Sequence, residues 1–304
     1  MTELEGVLAV NKPAGWTSHD VVAKVRRLVK MKRIGHAGTL DPEVTGVLPL
    51  CLGRATRVVE YMQDLPKEYQ AVLRLGVSTD TEDLTGTVIE SVEEVNITPE
   101  AAQETLLSFL GEISQVPPMY SAVKVDGKRL YELAREGKTI ERKSRIVTVH
   151  EIEMTGFEAH GSYTDVSFRV LCSKGTYIRT LCVDIGKKLG LPSTMAKLER
   201  TLSAGISASK CLTLEQIEQF MADGTLQSWL VPADEAIVHL HAYTVTDEKR
   251  SAALQGQRLS SQVVSPPVNH FGCIRLYDTE NQFLGIFQKQ EESGAIAPVK
   301  VFSV

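Results

Sequence analysis

The sequence of 304 residues lacks the marks of membrane, secreted and metal-cluster proteins. No segment reaches the roughly 20 apolar residues of a membrane helix, and the N-terminal residues have no basic start that leads into an apolar run. We therefore expect a soluble, cytoplasmic protein. Its 5 cysteines form no CxxC pair, and their number is odd, so we expect reduced, buried thiols rather than disulfides or a zinc site.

An excess of positive charge is also missing. The chain has 33 Lys and Arg against 38 Asp and Glu, a formal net charge of -5. Phosphate binding requires local positive charge, so this balance disfavours a protein that coats nucleic acid indiscriminately but does not exclude a basic patch.

Signatures of several enzyme classes are absent as well. There is no GxSxG motif, no GxGxxG after a strand and no zinc-deaminase signature of HxE with PCxxC. Gly137-Lys138-Thr139 is similar to the end of a P-loop, but Glu132 stands where its first glycine belongs. Hydride transfer, ester hydrolysis and nucleoside triphosphate binding therefore have no support.

One segment combines turn-forming residues with a carboxylate and an imidazole. It reads Gly35-His36-Ala37-Gly38-Thr39-Leu40-Asp41-Pro42 and is followed by Thr45-Gly46-Val47-Leu48-Pro49. Glycine allows tight bends, so we interpret the segment as a loop that presents His36 and Asp41 for catalysis. The alternative is a helix start at Asp41-Pro42-Glu43, with Asp41 as N-cap. Capping requires neither the upstream glycines nor the second Gly-Pro run, and both roles are compatible.

This segment resembles the catalytic motif of the bacterial tRNA pseudouridine-55 synthases, the TruB family. The resemblance spans most of residues 5–205 through four further strings: Asn11-Lys12-Pro13-x-Gly15-x-Thr17-Ser18, Lys67-x-Tyr69, Gln115-x-Pro117-Pro118-x-Tyr120-Ser121-Ala122 and Ser173-Lys174-Gly175-Thr176-Tyr177-Ile178-Arg179-Thr180. It implies isomerisation of uridine to pseudouridine at position 55 in the tRNA T loop, with no cofactor, metal, membrane or obligate protein partner. We expect a monomer.

The resemblance also implies catalytic roles. A uracil in folded RNA is stacked, so the enzyme must flip the nucleotide into a pocket. Asp41 is the implied nucleophile; attack on C1′ of the ribose, attack on C6 of the base and elimination through a glycal all remain open. Burial favours a protonated carboxyl, so a cation is needed, and the resemblance places Arg179 beside Asp41. Tyr69 is expected against the flipped base, where it helps to remove the C5 proton, although a phenol with a pKa of about 10 is a weak base.

Five further residues are predicted to bind the substrate. Tyr177 stacks on a base, and His36 occupies the space that the flipped base leaves. Lys12 approaches the floor of the site or a phosphate, Asp83 orients its neighbours, and Leu198 forms one side of the uracil pocket. For either tyrosine taken alone, a place in the hydrophobic core is the alternative.

Two basic stretches favour RNA as the partner. The first lies directly before the Gly35 motif and has no acidic member: Lys24, Arg26, Arg27, Lys30, Lys32 and Arg33. The second, residues 118–145, interleaves basic residues with Tyr120 and Tyr131, and it includes part of the loop by which the family grips the T stem-loop. A solvated helix face is the alternative for both stretches.

The element pattern predicts an α+β fold. Predicted strands at 6–10, 47–52, 69–75 and 145–172 do not alternate strictly with the predicted helices, which favours a mixed, largely antiparallel sheet. The resemblance implies the pseudouridine synthase fold, and we assign residues 1–235 to the catalytic domain. Short β-like runs after residue 240 predict a small C-terminal β domain over 240–304, which in this family is a PUA-like RNA-binding domain.

Two other functions are compatible with parts of the sequence. One is an RNA-binding or RNA-folding protein that keeps the scaffold without catalysis, which the intact Asp41, Tyr69 and Arg179 disfavour. The other is a glycosidase with paired carboxylates, for which Glu43 is the sole nearby second acid.

Overall fold

A computed structural model describes residues 4–121, 123–125 and 127–302 of the chain. Ala122, which ends the Gln115 string, lies outside the described residues. The strands up to residue 207 are β1 Gly6–Lys12, β2 Ile34–His36, β3 Thr45–Leu52, β4 Lys67–Leu75, β5 Val77–Thr79, β6 Val88–Ser91, β7 Gly111–Gln115, β8 Lys124–Val125, β9 Lys128–Arg129, β10 Arg145–Ala159, β11 Thr164–Cys172, β12 Ser193–Ser203 and β13 Ile206–Ser207. The later strands are β14 His241–Val245, β15 Val264–Ser265, β16 Cys273–Tyr277, β17 Phe283–Lys289 and β18 Ile296–Val301.

The described residues contain seven α-helices. They are α1 Ser18–Val29, α2 Val59–Gln63, α3 Pro99–Leu107, α4 Leu130–Arg135, α5 Ile178–Leu189, α6 Leu214–Ala222 and α7 Asp247–Leu254. Short 3₁₀ helices cover Gly53–Val58, Ala208–Lys210, Leu226–Trp229, Glu235–Ile237 and Ser261–Val263. Thr17 caps α1, and Gly190 ends α5 in the left-handed conformation. Over the described ranges, no helix is long and apolar enough to span a bilayer.

A nine-stranded sheet organises the first two thirds of the chain. Its order is β1-β3-β12-β4-β11-β10-β7, with β2 added on β3 and β13 on β12. The pairing is antiparallel except between β12 and β3. A second sheet, in the order β15-β14-β16-β17-β18, follows residue 240. The predicted α+β class, with a mixed, largely antiparallel sheet and a separate C-terminal β domain, is confirmed.

Alternating side chains of β4 anchor the centre of the large sheet. Ala71, Leu73 and Leu75 are buried in one apolar cluster with Leu181 and Ile185 of α5. Because β4 lies between β12 and β11, its first residues hold a central position near the N-terminal end of α5. The strand and the helix therefore bring their functional side chains to the same region.

The cysteines are free thiols, as predicted. Cys51, Cys172 and Cys182 are buried, and burial raises the pKa of the Cys51 thiol to about 12. Cys211 and Cys273 are half-buried, so the prediction of burial was wrong for these two. Both lie near the surface of the protein rather than in the centre of the sheet.

Replacing Gly46 with Ala should strongly destabilise the fold. Gly46 pairs with Arg200 at the parallel β12–β3 junction and has φ +101°; an added Cβ would lie 2.2 Å from the Arg200 carbonyl oxygen. We expect a loss of about 3–5 kcal/mol in the free energy of unfolding, measured by chemical denaturation. The matched control is Gly205→Ala, with φ +72° and nothing within 4 Å, which should cost about 1 kcal/mol. Equal losses in the two variants would contradict the steric explanation.

Candidate active site

Asp41 lies in a tight turn between β2 and β3. The backbone N–H of Val44 donates to the Asp41 carbonyl at 3.1 Å, and β3 begins one residue later. No helix starts at Pro42, so the alternative of a helix cap at Asp41 was wrong. Too few residues separate the turn from β3 for a helix to form.

The loop that carries Asp41 is held by hydrogen bonds to its backbone. Lys12 Nζ donates to the Pro42 carbonyl at 2.8 Å, and Ser18 Oγ accepts from the Leu40 N–H at 2.9 Å. These contacts join the Lys12 string to the Gly35 motif. Because the backbone carries these bonds, the Asp41 side chain remains free to point outward and is 45% exposed.

Arg179 provides a buried cation for this carboxylate. Its Nη2 lies 3.0 Å from Asp41 Oδ2, and the Arg179 side chain is 5% exposed. The guanidinium also donates to the carbonyls of Thr81 and Tyr120, at 2.9 and 2.7 Å. Three acceptors thus hold Arg179 in place, with its charge directly against the Asp41 carboxylate.

A cavity of about 620 Å³ opens beside Asp41. Tyr69 of β4 and Leu198 of β12 line it from the sheet, and Tyr177 lines it from the segment before α5. Gln115 anchors Tyr177 through two hydrogen bonds to its backbone, at 3.0 and 2.8 Å. Three predicted substrate contacts therefore meet with the carboxylate around one cavity.

Burial raises the pKa of the Tyr69 phenol, although the adjacent charge of Arg200 partly opposes this shift. The phenol is therefore protonated at neutral pH. A protonated phenol can pack against a base or donate a hydrogen bond, but it is a poor proton acceptor. The environment favours the contact role predicted for Tyr69 over the role of a base.

The other acidic residues near Asp41 have different surroundings. Asp83 Oδ1 accepts from the hydroxyls of Thr81 and Thr85 at 2.8 and 2.5 Å, and its Oδ2 lies 3.9 Å from Arg179 Nη1. This fits the predicted orienting role. Glu43 does not line this cavity, but it lines a neighbouring cavity of about 500 Å³ together with Asp41 and Asp83. Across the described ranges, no three His, Cys, Asp or Glu side chains are grouped so as to hold a metal ion.

Lys12 and His36 do not reach the cavity. Lys12 is 0% exposed, and its ammonium donates to the carbonyls of Pro13, Trp16 and Pro42, so it has no donor left for a phosphate. Its hydrogen bonds support the backbone of the Asp41 loop instead. His36 ends β2, and its ring packs edge-on against His19 with centroids 5.7 Å apart. Burial lowers the pKa of His36, and it stands beside the loop rather than within the cavity.

Two important residues had no role assigned from the sequence. Arg200 is 1% exposed and donates to the carbonyls of Val47 and Gly38 at 2.8 and 3.0 Å. Lys67 donates to two carbonyls, lines the cavity and has its pKa lowered to about 8 by burial. Charged residues in alternating strands usually face solvent, so no sequence signal marked Arg200. Lys67 is part of the Lys67-x-Tyr69 motif, but the sequence indicated no function for it.

Replacing Lys12 with Met should destabilise the loop. The carbonyls of Pro13, Trp16 and Pro42 would lose their donor, and the buried side chain would lose its hydrogen bonds, so we expect a loss of about 3 kcal/mol in the free energy of unfolding. Burial lowers the pKa of Lys12 from 10.5 to about 8. Between these values the unfolded chain holds a proton that the folded chain has lost. The stability of wild type relative to Lys12→Met should therefore rise with pH in this window.

Denaturant unfolding of both proteins at about pH 7 and pH 9.5 measures this difference. Subtracting the variant from wild type removes the titration of cysteines and tyrosines, which both proteins share. The control is Lys210→Met, at an exposed position, which should leave the free energy of unfolding nearly unchanged at both values. A wild-type advantage that stays constant or shrinks with pH would contradict the proposed environment of Lys12.

Comparison with known proteins identifies the family. Residues 26–178 match the model described as TruB family pseudouridylate synthase (N terminal domain). Residues 179–238 match that described as tRNA pseudouridylate synthase B C-terminal domain. A tRNA pseudouridine synthase B from Geobacillus thermodenitrificans (strain NG80-2) is 43% identical over 304 residues, 98% of this chain and 100% of the relative. That from Bacillus subtilis (strain 168) is 42% identical over 302 residues, 98% of this chain and 97% of the relative.

Solved structures agree with this result. A Cbf5-Nop10-Gar1 complex contains a chain with a TM-score of 0.76 and 27% identity, covering 98% of this chain and 85% of that chain. A chain in an H/ACA RNP bound to a substrate RNA containing 2′-deoxyuridine has a TM-score of 0.75 and 25% identity, with the same coverage. The fold is the pseudouridine synthase fold. Since the family models match residues 26–238 and the relatives match nearly the whole length, the chain belongs to the TruB family of pseudouridylate synthases.

Proposed function

We propose that this chain converts the uridine at position 55 in the T loop of tRNA into pseudouridine, with Asp41 as the nucleophile. The observation that carries the proposal is the 3.0 Å contact between Asp41 and the buried Arg179 at a cavity lined by Tyr69 and Leu198. The Asp41 carboxylate thus faces a space large enough for a flipped nucleotide. The relatives with this architecture are named as tRNA pseudouridine synthases.

The reaction balances without an oxidant or a reductant. The bond between C1′ of the ribose and N1 of uracil breaks, and a bond between C1′ and C5 forms. The C5 proton leaves, and N1 of the rotated base carries a proton in the product. Asp41 supplies the nucleophile for detachment of the base, and Arg179 orients its carboxylate. Tyr69 and Leu198 confine the base while it turns, which limits its escape to solvent.

The remaining predicted residues have supporting roles in this proposal. Tyr177 offers a stacking surface at the side of the cavity, and Asp83 orients Arg179 from 3.9 Å. His36 contacts the RNA beside the flipped nucleotide, because it is the last residue of β2 and directly precedes the Asp41 loop. Lys12 acts through its hydrogen bond to the Pro42 carbonyl and not through contact with the substrate.

Basic surfaces support the approach of RNA. Arg27, Lys30 and Lys32, at and after the end of α1, are exposed, whereas Lys24 of the same run pairs with Glu218 at 3.2 Å. We assign residues 1–235 to the catalytic domain and 240–304 to a PUA-like domain that also contacts tRNA. The protein acts in the cytoplasm as a monomer, without an obligate protein partner.

The experiment incubates a T stem-loop RNA with purified wild type or Asp41→Asn, without added metal or nucleotide. Mass spectrometry and carbodiimide mapping locate the product. Pseudouridine at one position with wild type alone supports both the activity and the nucleophile. Tight binding without product would favour an RNA-binding protein, and product from both proteins would show that another residue performs the chemistry.

A further inference from the structure

Among the residues that the structure describes, Arg145 is the arginine of the cavity beside Asp41 with buried donors that have no acceptor. Three arginines line this cavity in the described part of the chain. Arg179 has Asp41 and two carbonyls, and Arg200 has the carbonyls of three loop and strand residues. Arg145 Nε and Nη2 are buried without any hydrogen-bond partner among the described residues. A buried charge of this kind is costly unless a ligand compensates it.

The position of Arg145 is nevertheless well defined. It begins β10, and its guanidinium carbon lies 4.8 Å from the centroid of the Tyr177 ring. Gly175 is also near, because an added Cβ there would be 3.7 Å from the same carbon. The guanidinium thus lies close both to an aromatic ring and to the Gly175 backbone. Stacking on Tyr177 partly stabilises the cation but supplies no hydrogen-bond acceptor.

A second arginine shows what is missing at Arg145. Arg74 lies over the Tyr163 ring at 4.2 Å, and it also donates to both carboxylate oxygens of Asp165 at 2.8 and 2.7 Å. Arg145 likewise lies over a tyrosine ring, at 4.8 Å, but has no carboxylate partner among the described residues. Because the charge is spread over the whole guanidinium, the side chain presents an uncompensated positive charge to the cavity that it lines.

We propose that Arg145 binds the phosphate next to the target uridine and thereby positions the flipped nucleotide. This inference rests on the proposed function, because a nucleotide that enters the cavity brings a phosphodiester with its base. Phosphate matches the planar, multi-donor guanidinium better than the neutral uracil does. Because Arg145 also lies over the Tyr177 ring, the same guanidinium would hold both the phosphate and the stacking surface in place.

The experiment measures binding of RNAs that each carry one uncharged methylphosphonate linkage, either 5′ or 3′ of the target uridine. Wild type should bind one of these two RNAs about tenfold more weakly than the all-phosphate RNA, the size of a charge-assisted hydrogen bond. Arg145→Gln should bind the all-phosphate RNA about tenfold more weakly and should not distinguish it from that methylphosphonate RNA. For Arg145→Gln, the slope of log affinity against log salt concentration should be shallower by about 0.7–0.9 than for wild type, the value for one phosphate contact.

Two further variants separate this role from a structural one. Arg74→Gln removes a stacked guanidinium from outside the cavity and should discriminate between the RNAs as wild type does. Arg145→Lys keeps the charge and should retain part of the discrimination, even if the Gln variant folds poorly. If the methylphosphonate weakened RNA binding by the same factor in wild type and in both Arg145 variants, the proposal would be overturned. Failure of wild type to isomerise the all-phosphate RNA would overturn the proposed function instead, and the binding comparison would still decide the role of Arg145.

Discussion

Replacing Asp41 with Asn should abolish turnover while leaving RNA affinity nearly intact. The amide keeps the size of the side chain but cannot act as a nucleophile, so we expect turnover on a T stem-loop RNA to fall by roughly four orders of magnitude or more. Affinity should change by less than about threefold, because Asp41 is one small group at the edge of a cavity of about 620 Å³. Single-turnover kinetics and filter binding measure the two quantities separately.

Asp83→Asn is the matched control for Asp41→Asn. It makes the same chemical change in a second carboxylate near Arg179, but at 3.9 Å instead of 3.0 Å. We expect turnover to fall by only about tenfold, because this variant disturbs the orientation of the cation and keeps the nucleophile. Retained turnover in Asp41→Asn would mean that Asp41 is not the nucleophile. Equal losses in the two variants would mean that Asp83 is as essential for turnover as Asp41.

Replacing Arg179 with Met should damage both catalysis and folding. Asp41 would lose its ion partner, and the carbonyls of Thr81 and Tyr120 would lose their donors in a site where Arg179 is 5% exposed. Breaking a buried ionic network from one side costs about 3–5 kcal/mol, so we expect a loss of that size in the free energy of unfolding. Turnover should fall by about 10³-fold or more, because the carboxylate is no longer held in its reactive orientation.

Arg179→Lys separates charge from geometry. The ammonium keeps the positive charge but cannot reproduce the planar set of donors that contacts Asp41 and the two carbonyls. We expect turnover and stability between those of wild type and Arg179→Met, measured by the same single-turnover and denaturation assays. A lysine variant with full activity would show that charge alone is sufficient, and one as inactive as the Met variant would show that the fixed donor geometry is essential.

Several elements could be predicted because local sequence determines them. The apolar spacing of α5 and the stop at Gly190 locate that helix, and alternation along β4 identifies its buried face. The Asp41 loop follows from the glycines and prolines around it. The pairing of Asp41 with Arg179, 138 positions later (179 minus 41), came from the resemblance and not from spacing.

Other features of the site could not be predicted from local sequence. Lys12 was expected to approach the floor of the site or a phosphate, yet three carbonyls surround its ammonium. Arg200 and Arg145 occur in strand-forming segments where an outward, solvated side chain is the usual outcome. Whether a cation binds backbone, substrate or water depends on which distant carbonyls fold around it.

The sequence by itself determined the α+β class, the main helices and strands, and the family to which the chain belongs, because side-chain periodicity, turn-forming residues and long motifs are local properties. The tertiary structure alone decided which cations are already paired. Strand order brings β12 beside β3 and β4, so Arg200 supports the catalytic loop. The start of β10 leaves Arg145 over Tyr177, with buried donors that have no acceptor in the described part of the chain. Hydrogen-bond satisfaction in the interior depends on contacts between segments far apart in the chain, and no local pattern encodes it.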